Sequence, residues 1–118
     1  SRTASMHELA LCQGLIELLV EQGRVHGFTE VRSVTLAIGA LGHVDPDALA
    51  FCFDVVSEGT LAQGAVLTIE RPDGTAHCVG CGSDVTLASR IDPCPRCGSS
   101  QLMVTGGQDM RLREMEVR

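Results

Sequence analysis

The 118-residue sequence contains no tryptophan, no tyrosine and no lysine. Its only aromatic residues are three phenylalanines, so we expect a core built from aliphatic side chains. All nine basic residues are arginine, they form no run, and the formal net charge is −6. A protein that binds nucleic acid normally presents a positive stripe to the phosphates. The composition therefore argues against a nucleic-acid partner.

Long hydrophobic segments are also absent. No apolar stretch reaches the ~18 residues of a membrane span, and the most apolar segment, residues 9–20, is interrupted by Gln13, Gly14 and Glu17. The first residues have no apolar region of the kind that a secretory signal requires. We therefore predict a cytoplasmic protein that does not associate with a membrane.

The hydrophobic periodicity predicts an α+β fold. Residues 9–26 follow the helical i, i+3, i+4, i+7 spacing. A second helix is predicted after Asp45, an N-cap residue that precedes proline at the first helical position. Alternating residues predict strands near 31–39, 65–70 and 110–117. The economical arrangement is two helices packed on a three-stranded, mostly antiparallel sheet, with a zinc-ribbon-like lobe inserted before the last strand.

Four of the six cysteines form two close pairs in the pattern C-x2-C-x12-C-x2-C: Cys78, Cys81, Cys94 and Cys97. A glycine follows each pair, which permits a tight turn that aims both sulfurs at one ion. Four thiolates suit tetrahedral zinc and leave no open position, so the site is predicted to be structural. Disulfides, redox pairs and a four-thiolate iron site are the alternatives, but two matched pairs favour zinc.

A second candidate site lies at Met6, His7 and Glu8. If Met6 were the first residue, its amine, deprotonated backbone amides and the His7 imidazole would form fused chelate rings around one ion. Tetragonal nitrogen ligation suits Ni(II) or Cu(II). The alternative is that His7 is a solvated or capping residue. His43 and Asp45 lie in the loop before the second helix; Asp45 is favoured as an N-cap, although its carboxylate could complete a metal site.

The segments MHELALCQG, LAFCFDVVSEGT, CVGC with CPRC, and MRLREMEV together resemble the HypA/HybF family of hydrogenase-maturation nickel metallochaperones. The resemblance implies a nickel-binding lobe at 6–77, completed by a strand at 108–118, and a structural zinc lobe at 78–103. It also implies delivery of Ni(II) to the large subunit of [NiFe]-hydrogenase, with a GTPase accessory protein of that pathway as partner. Some members serve urease as well.

The resemblance further implies which atoms bind nickel: the His7 imidazole, the Met6 amine and the backbone nitrogens of His7 and Glu8, with the Glu8 side chain tuning the site. The paired cysteines are the implied zinc ligands. Residues 1–5 are interpreted as an expression remnant, which makes the Met6 nitrogen a peptide amide and removes one ligand of the family. No catalytic triad or phosphate-binding loop occurs, so we predict no enzymatic activity. The other functional hypothesis is a zinc-ribbon module that binds protein or nucleic acid without nickel transfer.

Overall fold

The structure is a computed structural model, and it describes residues 6–118. Residues 1–5, interpreted above as an expression remnant, lie outside the described residues. Two three-stranded, mostly antiparallel sheets occur, in the orders β2-β1-β6 and β4-β3-β5. The predicted fold class is confirmed. The elements are α1 (Met6–His26), β1 (Val31–Ile38), α2 (Pro46–Ser57), β2 (Val66–Glu70), β3 (Gly74–Cys78), β4 (Asp84–Leu87), β5 (Leu102–Gly106) and β6 (Met110–Val117).

The chain forms two compact units. The helical unit consists of the described residues up to Leu36, Val44–Ile69 and Leu112–Arg118. The cysteine unit consists of Ala37–His43 and Glu70–Arg111, and it contains all four paired cysteines. The narrower boundaries 78–103 remain a prediction for the segment whose folding depends on metal.

The core of the helical unit is largely aliphatic. Of the three phenylalanines only Phe53 is fully buried, while Phe28 is half-buried and Phe51 is exposed. Within residues 6–118, neither α1 nor α2 combines the length and apolarity that a membrane span needs. The buried residues of this core are Cys12, Leu15, Ile16, Leu19, Val31, Val34, Leu36, Ala48, Leu49, Cys52, Phe53 and Ala62.

The first helix begins at Met6, three residues before the predicted Leu9. The prediction rested on apolar periodicity, and a first turn does not need apolar residues. An acidic residue in the first turn is favoured by the helix dipole, and Glu8 occupies that position. Because Glu8 lies one turn before the buried Cys12, it also extends the packed face of α1. The predicted start at Leu9 placed His7 before the helix, and this was wrong, because His7 lies in the first turn of α1.

The second helix begins as the sequence predicts. The Oδ1 atom of Asp45 accepts hydrogen bonds from the backbone N–H groups of Asp47 at 3.0 Å and Ala48 at 3.3 Å. Pro46 occupies the first helical position, where a missing N–H is harmless. The N-cap role of Asp45 is therefore confirmed.

We expect Asp45→Ala to lower the free energy of unfolding of the zinc-loaded protein by about 1 kcal/mol, because it removes the acceptor for two N–H groups of the first turn. Asp45→Asn is the matched control, since asparagine caps a helix about as well as aspartate. Urea unfolding followed by circular dichroism measures both. Equal stability of Asp45→Ala and the parent protein would contradict the prediction.

The cysteine unit has a small core around a central strand. β3 pairs antiparallel with β4 and with β5, and Ala76 of β3 lies opposite Val85 and Val104. A core of this size cannot hold a unit together by burial alone. Its buried members are Leu41, Ala76, Cys78, Val85, Leu87 and Cys94, with Leu102 and Val104 packed against them.

Two arginines attach the first segment of the cysteine unit to the rest of that unit. The Arg71 Nε atom donates to the carbonyl of Ile38 at 2.9 Å, and its Nη2 atom donates to Gly39 at 3.3 Å. The Arg90 Nε atom donates to the carbonyl of Leu41. These bonds satisfy carbonyl groups at the last residue of β1 and just after it, which explains why the segment joins this unit.

Candidate metal centres

The first cysteine pair lies in a tight turn closed by backbone hydrogen bonds. The carbonyl of Cys78 accepts from the N–H of Gly82 at 2.8 Å, and the N–H of Cys78 donates to the carbonyl of Ser83 at 2.9 Å. The backbone N–H of Cys81 points back at the Cys78 sulfur, 3.4 Å away. The turn thus brings both sulfurs to one side and directs a donor toward one of them.

The second pair repeats this arrangement. Cys94 forms the equivalent backbone bonds with Gly98 and Ser99, both at 2.8 Å. The N–H of Arg96 donates to the Cys94 sulfur at 3.4 Å. Gly82 and Gly98, which close the two turns, have φ of +73° and +76°, a region in which a side chain would be strained. The glycine after each pair therefore has the role that the sequence predicts.

The four sulfur atoms converge on one point. All lie within 4.8 Å of one another, and the pairs Cys78 with Cys97 and Cys81 with Cys94 are separated by 3.6 Å and 3.9 Å. Zinc ~2.3 Å from each sulfur in a regular tetrahedron places neighbouring sulfurs ~3.8 Å apart. The donor set therefore fits a structural zinc ion, and no ligand position remains for another group.

The electrostatics of the cluster also favour a cation. Donation by the Ser83 backbone lowers the pKa of Cys81 to about 6, and the Cys97 N–H lowers the pKa of Cys94. A hydrogen bond from the Ser99 N–H also tends to lower the pKa of Cys97. Together the neighbouring sulfurs have the larger, opposite effect and raise this pKa to about 12. The sulfurs do not all ionise together unless a metal replaces the protons, so metal binding depends on pH.

The second candidate site is the first turn of α1. The Met6 side chain is 79% exposed and His7 is exposed, whereas Glu8 is only 4% exposed. The Glu8 Oε2 atom accepts a long hydrogen bond, 3.4 Å, from the backbone N–H of Asp45. The turn thus presents His7 to solvent and fixes Glu8 against the residue that caps α2.

The remaining candidates are placed differently. The Asp45 carboxylate is engaged at the start of α2, and His43 is exposed in the preceding loop. Within residues 6–118, the only group of three or more metal-ligating side chains with converging ligand atoms is the four-cysteine cluster. The side chains of His7, Glu8 and Asp45 are therefore not gathered around one point.

Comparison with known proteins identifies the family. Residues 6–117 match the family described as hydrogenase/urease nickel incorporation, metallochaperone, HypA. The chain belongs to the HypA family. The resemblance found in the sequence is confirmed, and the family's nickel-binding role accompanies a four-cysteine site that is consistent with structural zinc.

Individual relatives match over nearly their whole length. Hydrogenase maturation factor HypA 2 of Bradyrhizobium diazoefficiens is 52% identical over 112 residues, which cover 95% of this chain and 99% of the relative. Hydrogenase maturation factor HypA of Rhodopseudomonas palustris is 48% identical over the same shares of each chain. Because these relatives are named as maturation factors, the prediction that the chain is not an enzyme is confirmed.

Two solution structures of HypA proteins have the same fold. The nickel metallochaperone HypA from Helicobacter pylori gives a TM-score of 0.65 at 23% identity and covers 93% of this chain and 96% of its own. A second HypA solution structure gives 0.67 at 24% identity, with 98% of each chain covered. At these identities the similarity concerns the fold alone.

Sequence reasoning missed one feature of this HypA-family chain, the burial of Glu8 beside two thiols. The Cys12 sulfur lies 3.3 Å from the Leu49 carbonyl, to which it donates. The pKa of Cys12 is raised to about 12, mainly by burial and further by the nearby Cys52 and Glu8. The pKa of Cys52 is also raised, again mainly by burial and then by Glu8. This feature could have been predicted from the sequence, because residues four apart in a helix, such as Glu8 and Cys12, lie on the same face.

We expect the purified protein to contain one zinc ion per chain. Cys81→Ser and Cys97→Ser should each lower the zinc content, because three thiolates hold zinc less tightly than four. Cys52→Ala is the control, since this cysteine lies outside the cluster. Elemental analysis measures the metal. A zinc-free protein with a folded cysteine unit and four reactive thiols would contradict the assignment.

Proposed function

We propose that the chain binds one Ni(II) ion at the first turn of α1 and delivers it to the large subunit of [NiFe]-hydrogenase. The observation that carries this proposal is the exposed position of His7 in the first turn of a chain that belongs to a nickel-incorporation family. An exposed imidazole can bind the ion and release it to a client. The cargo is an ion in transit, so an accessible site suits the task better than a closed one.

The proposed nickel ligands are nitrogen atoms. In a chain that begins at Met6, the Met6 amine, the His7 imidazole and the backbone nitrogens of His7 and Glu8 form fused chelate rings. N–H groups in the first turn of a helix have no acceptor within the helix. Deprotonating these amides for metal binding therefore sacrifices no helical hydrogen bond, and tetragonal nitrogen ligation suits Ni(II).

Glu8 and Asp45 have supporting roles in this proposal. The Glu8 carboxylate is buried and accepts from the N–H of Asp45, so it fixes the first turn of α1 beside the start of α2. The Oδ1 atom of Asp45 already accepts hydrogen bonds from the N–H groups of Asp47 and Ala48, so this carboxylate serves the start of α2. We therefore assign Glu8 the role of orienting the first turn of α1. Asp45 is primarily the N-cap of α2, and its carboxylate is the additional oxygen donor that this proposal offers to nickel.

The proposed zinc ligands are Cys78, Cys81, Cys94 and Cys97. Zinc bound there would hold the two turns of the cysteine unit together and take no part in transfer, because all four of its positions would be filled by protein. The predicted zinc lobe at 78–103 is the part of the unit that this ion would organise.

The proposed partners follow from the family. A GTPase accessory protein of hydrogenase maturation would act with the chain in the cytoplasm, and urease is a further client to consider. The family description names both hydrogenase and urease. A nucleic-acid partner is disfavoured by the net charge of −6.

Nickel titration tests the role of His7. His7→Ala is expected to abolish stoichiometric Ni(II) binding, because it removes the only side-chain nitrogen at the site. His26→Ala is the matched control, since His26 is exposed on the same helix in its last turn. Calorimetry gives the stoichiometry, and elemental analysis checks that zinc content is unchanged. If His7→Ala bound nickel as the parent protein does, the nickel site would have to lie elsewhere.

The Met6 amine is tested separately. A chain that begins at Met6 is expected to bind nickel more tightly than the 118-residue chain, because a free amine is a stronger donor than an acylated nitrogen. Calorimetry and the nickel absorption spectrum, recorded for both chains at one pH and ionic strength, measure the difference. Equal affinity together with identical spectra would show that the amine is not a ligand.

A further inference from the structure

The solvent-facing side of α2 carries an apolar pair inside a border of carboxylates. Phe51 is 58% exposed and Val55 is 51% exposed. They are one helical turn apart, so their side chains are neighbours. Asp47 and Asp54 are also exposed and lie on the same side of the helix as this pair, and the exposed Glu58 follows directly after the last helical residue. We call these five residues the α2 face.

Within residues 6–118, the carboxylates of the α2 face, which belong to Asp47, Asp54 and Glu58, have no cationic partner in ion-pair contact. α2 contains no lysine or arginine. The face therefore presents a negative potential around an apolar centre.

The exposure of Phe51 is informative because aromatic residues are scarce in this chain. The sequence has three phenylalanines and neither tyrosine nor tryptophan. Phe53, two residues further along α2, is fully buried, whereas Phe51 points away from that core. Large side chains that fill a partner's pocket within a polar rim provide much of the energy of protein interfaces. The α2 face has this composition.

The α2 face begins beside the proposed nickel site. The backbone N–H of Asp45 donates to the carboxylate of Glu8, which follows His7 in the chain. Asp47, at the border of the face, lies two residues after Asp45 in the first turn of α2. A protein docked on the α2 face would therefore be held next to the turn that carries His7.

We propose that the α2 face is the docking surface for a protein partner in nickel transfer, and that this partner presents an apolar pocket rimmed by lysine or arginine. The inference rests on the proposed function. A second copy of the chain would place carboxylates against carboxylates, and nucleic-acid phosphates would be repelled. A basic protein surface is the occupant that complements the charge, and a face of this size fits a transient contact.

Binding measurements with altered faces test the proposal. Phe51→Ala removes the apolar anchor and Asp54→Arg reverses one border charge. Val25→Ala and Glu17→Arg are matched controls, since both residues are exposed on α1 outside the face. The probes are the GTPase accessory protein and the nickel-free hydrogenase large subunit of the same organism, each titrated by calorimetry at low and high salt. Thermal melting confirms that each variant folds.

For at least one partner, we expect each face variant to weaken binding by about tenfold or more, and each control by less than about twofold. The affinity of the parent protein for that partner should fall as salt rises, because the border attracts opposite charge. Nickel binding should stay at one ion per chain in all variants, since no proposed ligand is changed.

Unchanged affinity of Phe51→Ala and Asp54→Arg for both partners would overturn the proposal, as would failure of the parent protein to bind either one. A parent protein that dimerises, with Phe51→Ala returning it to the monomer, would show that a second copy occupies the face and would also overturn it. Each of these results leaves the His7 titration intact, so failure of docking and failure of nickel binding are distinguishable.

Discussion

The convergence of four sulfurs is the constraint on which the cysteine unit depends. Two of the sulfur pairs are only 3.6 Å and 3.9 Å apart. Without a cation, ionising them all would place like charges in contact, and the neighbouring sulfurs keep the pKa of Cys97 at about 12 despite the opposing hydrogen bond from Ser99. A structural zinc site contributes roughly 10–16 kcal/mol at neutral pH, as much as the stability of many whole domains. The ion can therefore stabilise a unit whose own apolar core is small.

Local signals predicted the helical unit well. The N-cap at Asp45 followed by Pro46 fixed the start of α2, and apolar periodicity located α1 except for its first turn. That turn was missed because its stabilising group, the buried Glu8 carboxylate, is polar. The spacing of the cysteine pairs predicted their convergence, because the geometry of a C-x2-C turn is contained within a few residues.

The extent of the cysteine unit was not predictable in the same way. Its strands are short, and β3 begins with glycine and ends with a cysteine of the four-cysteine cluster, so neither end resembles a typical strand. The bonds from Arg71 to Ile38 and from Arg90 to Leu41 join residues 33 and 49 positions apart. Gly39 also contacts a residue that is distant in the sequence, Gly107. The two backbones are so close that a Cβ at Gly39 would lie 2.1 Å from the Gly107 carbonyl oxygen. Such contacts depend on the assembled fold, and no local pattern predicts them.

Placing two metals in one chain requires that each site reject the other's ion. Four thiolates around one zinc ion would form a closed site that leaves no position for exchange, whereas the proposed nickel site is open and built from nitrogen. Cys12 and Cys52 are the two cysteines outside the four-cysteine cluster. Cys12 lies near the proposed nickel site, because it follows Glu8 by one turn of α1. A thiolate there would be a strong competing ligand for a borderline metal. Burial first, and then the neighbouring Cys52 and Glu8, raise the pKa of Cys12 to about 12, so this sulfur stays protonated at neutral pH. The buried carboxylate of Glu8 therefore serves the proposed site twice: it orients the first turn through Asp45, and it adds to the effect of burial in raising the pKa of Cys12 and of Cys52.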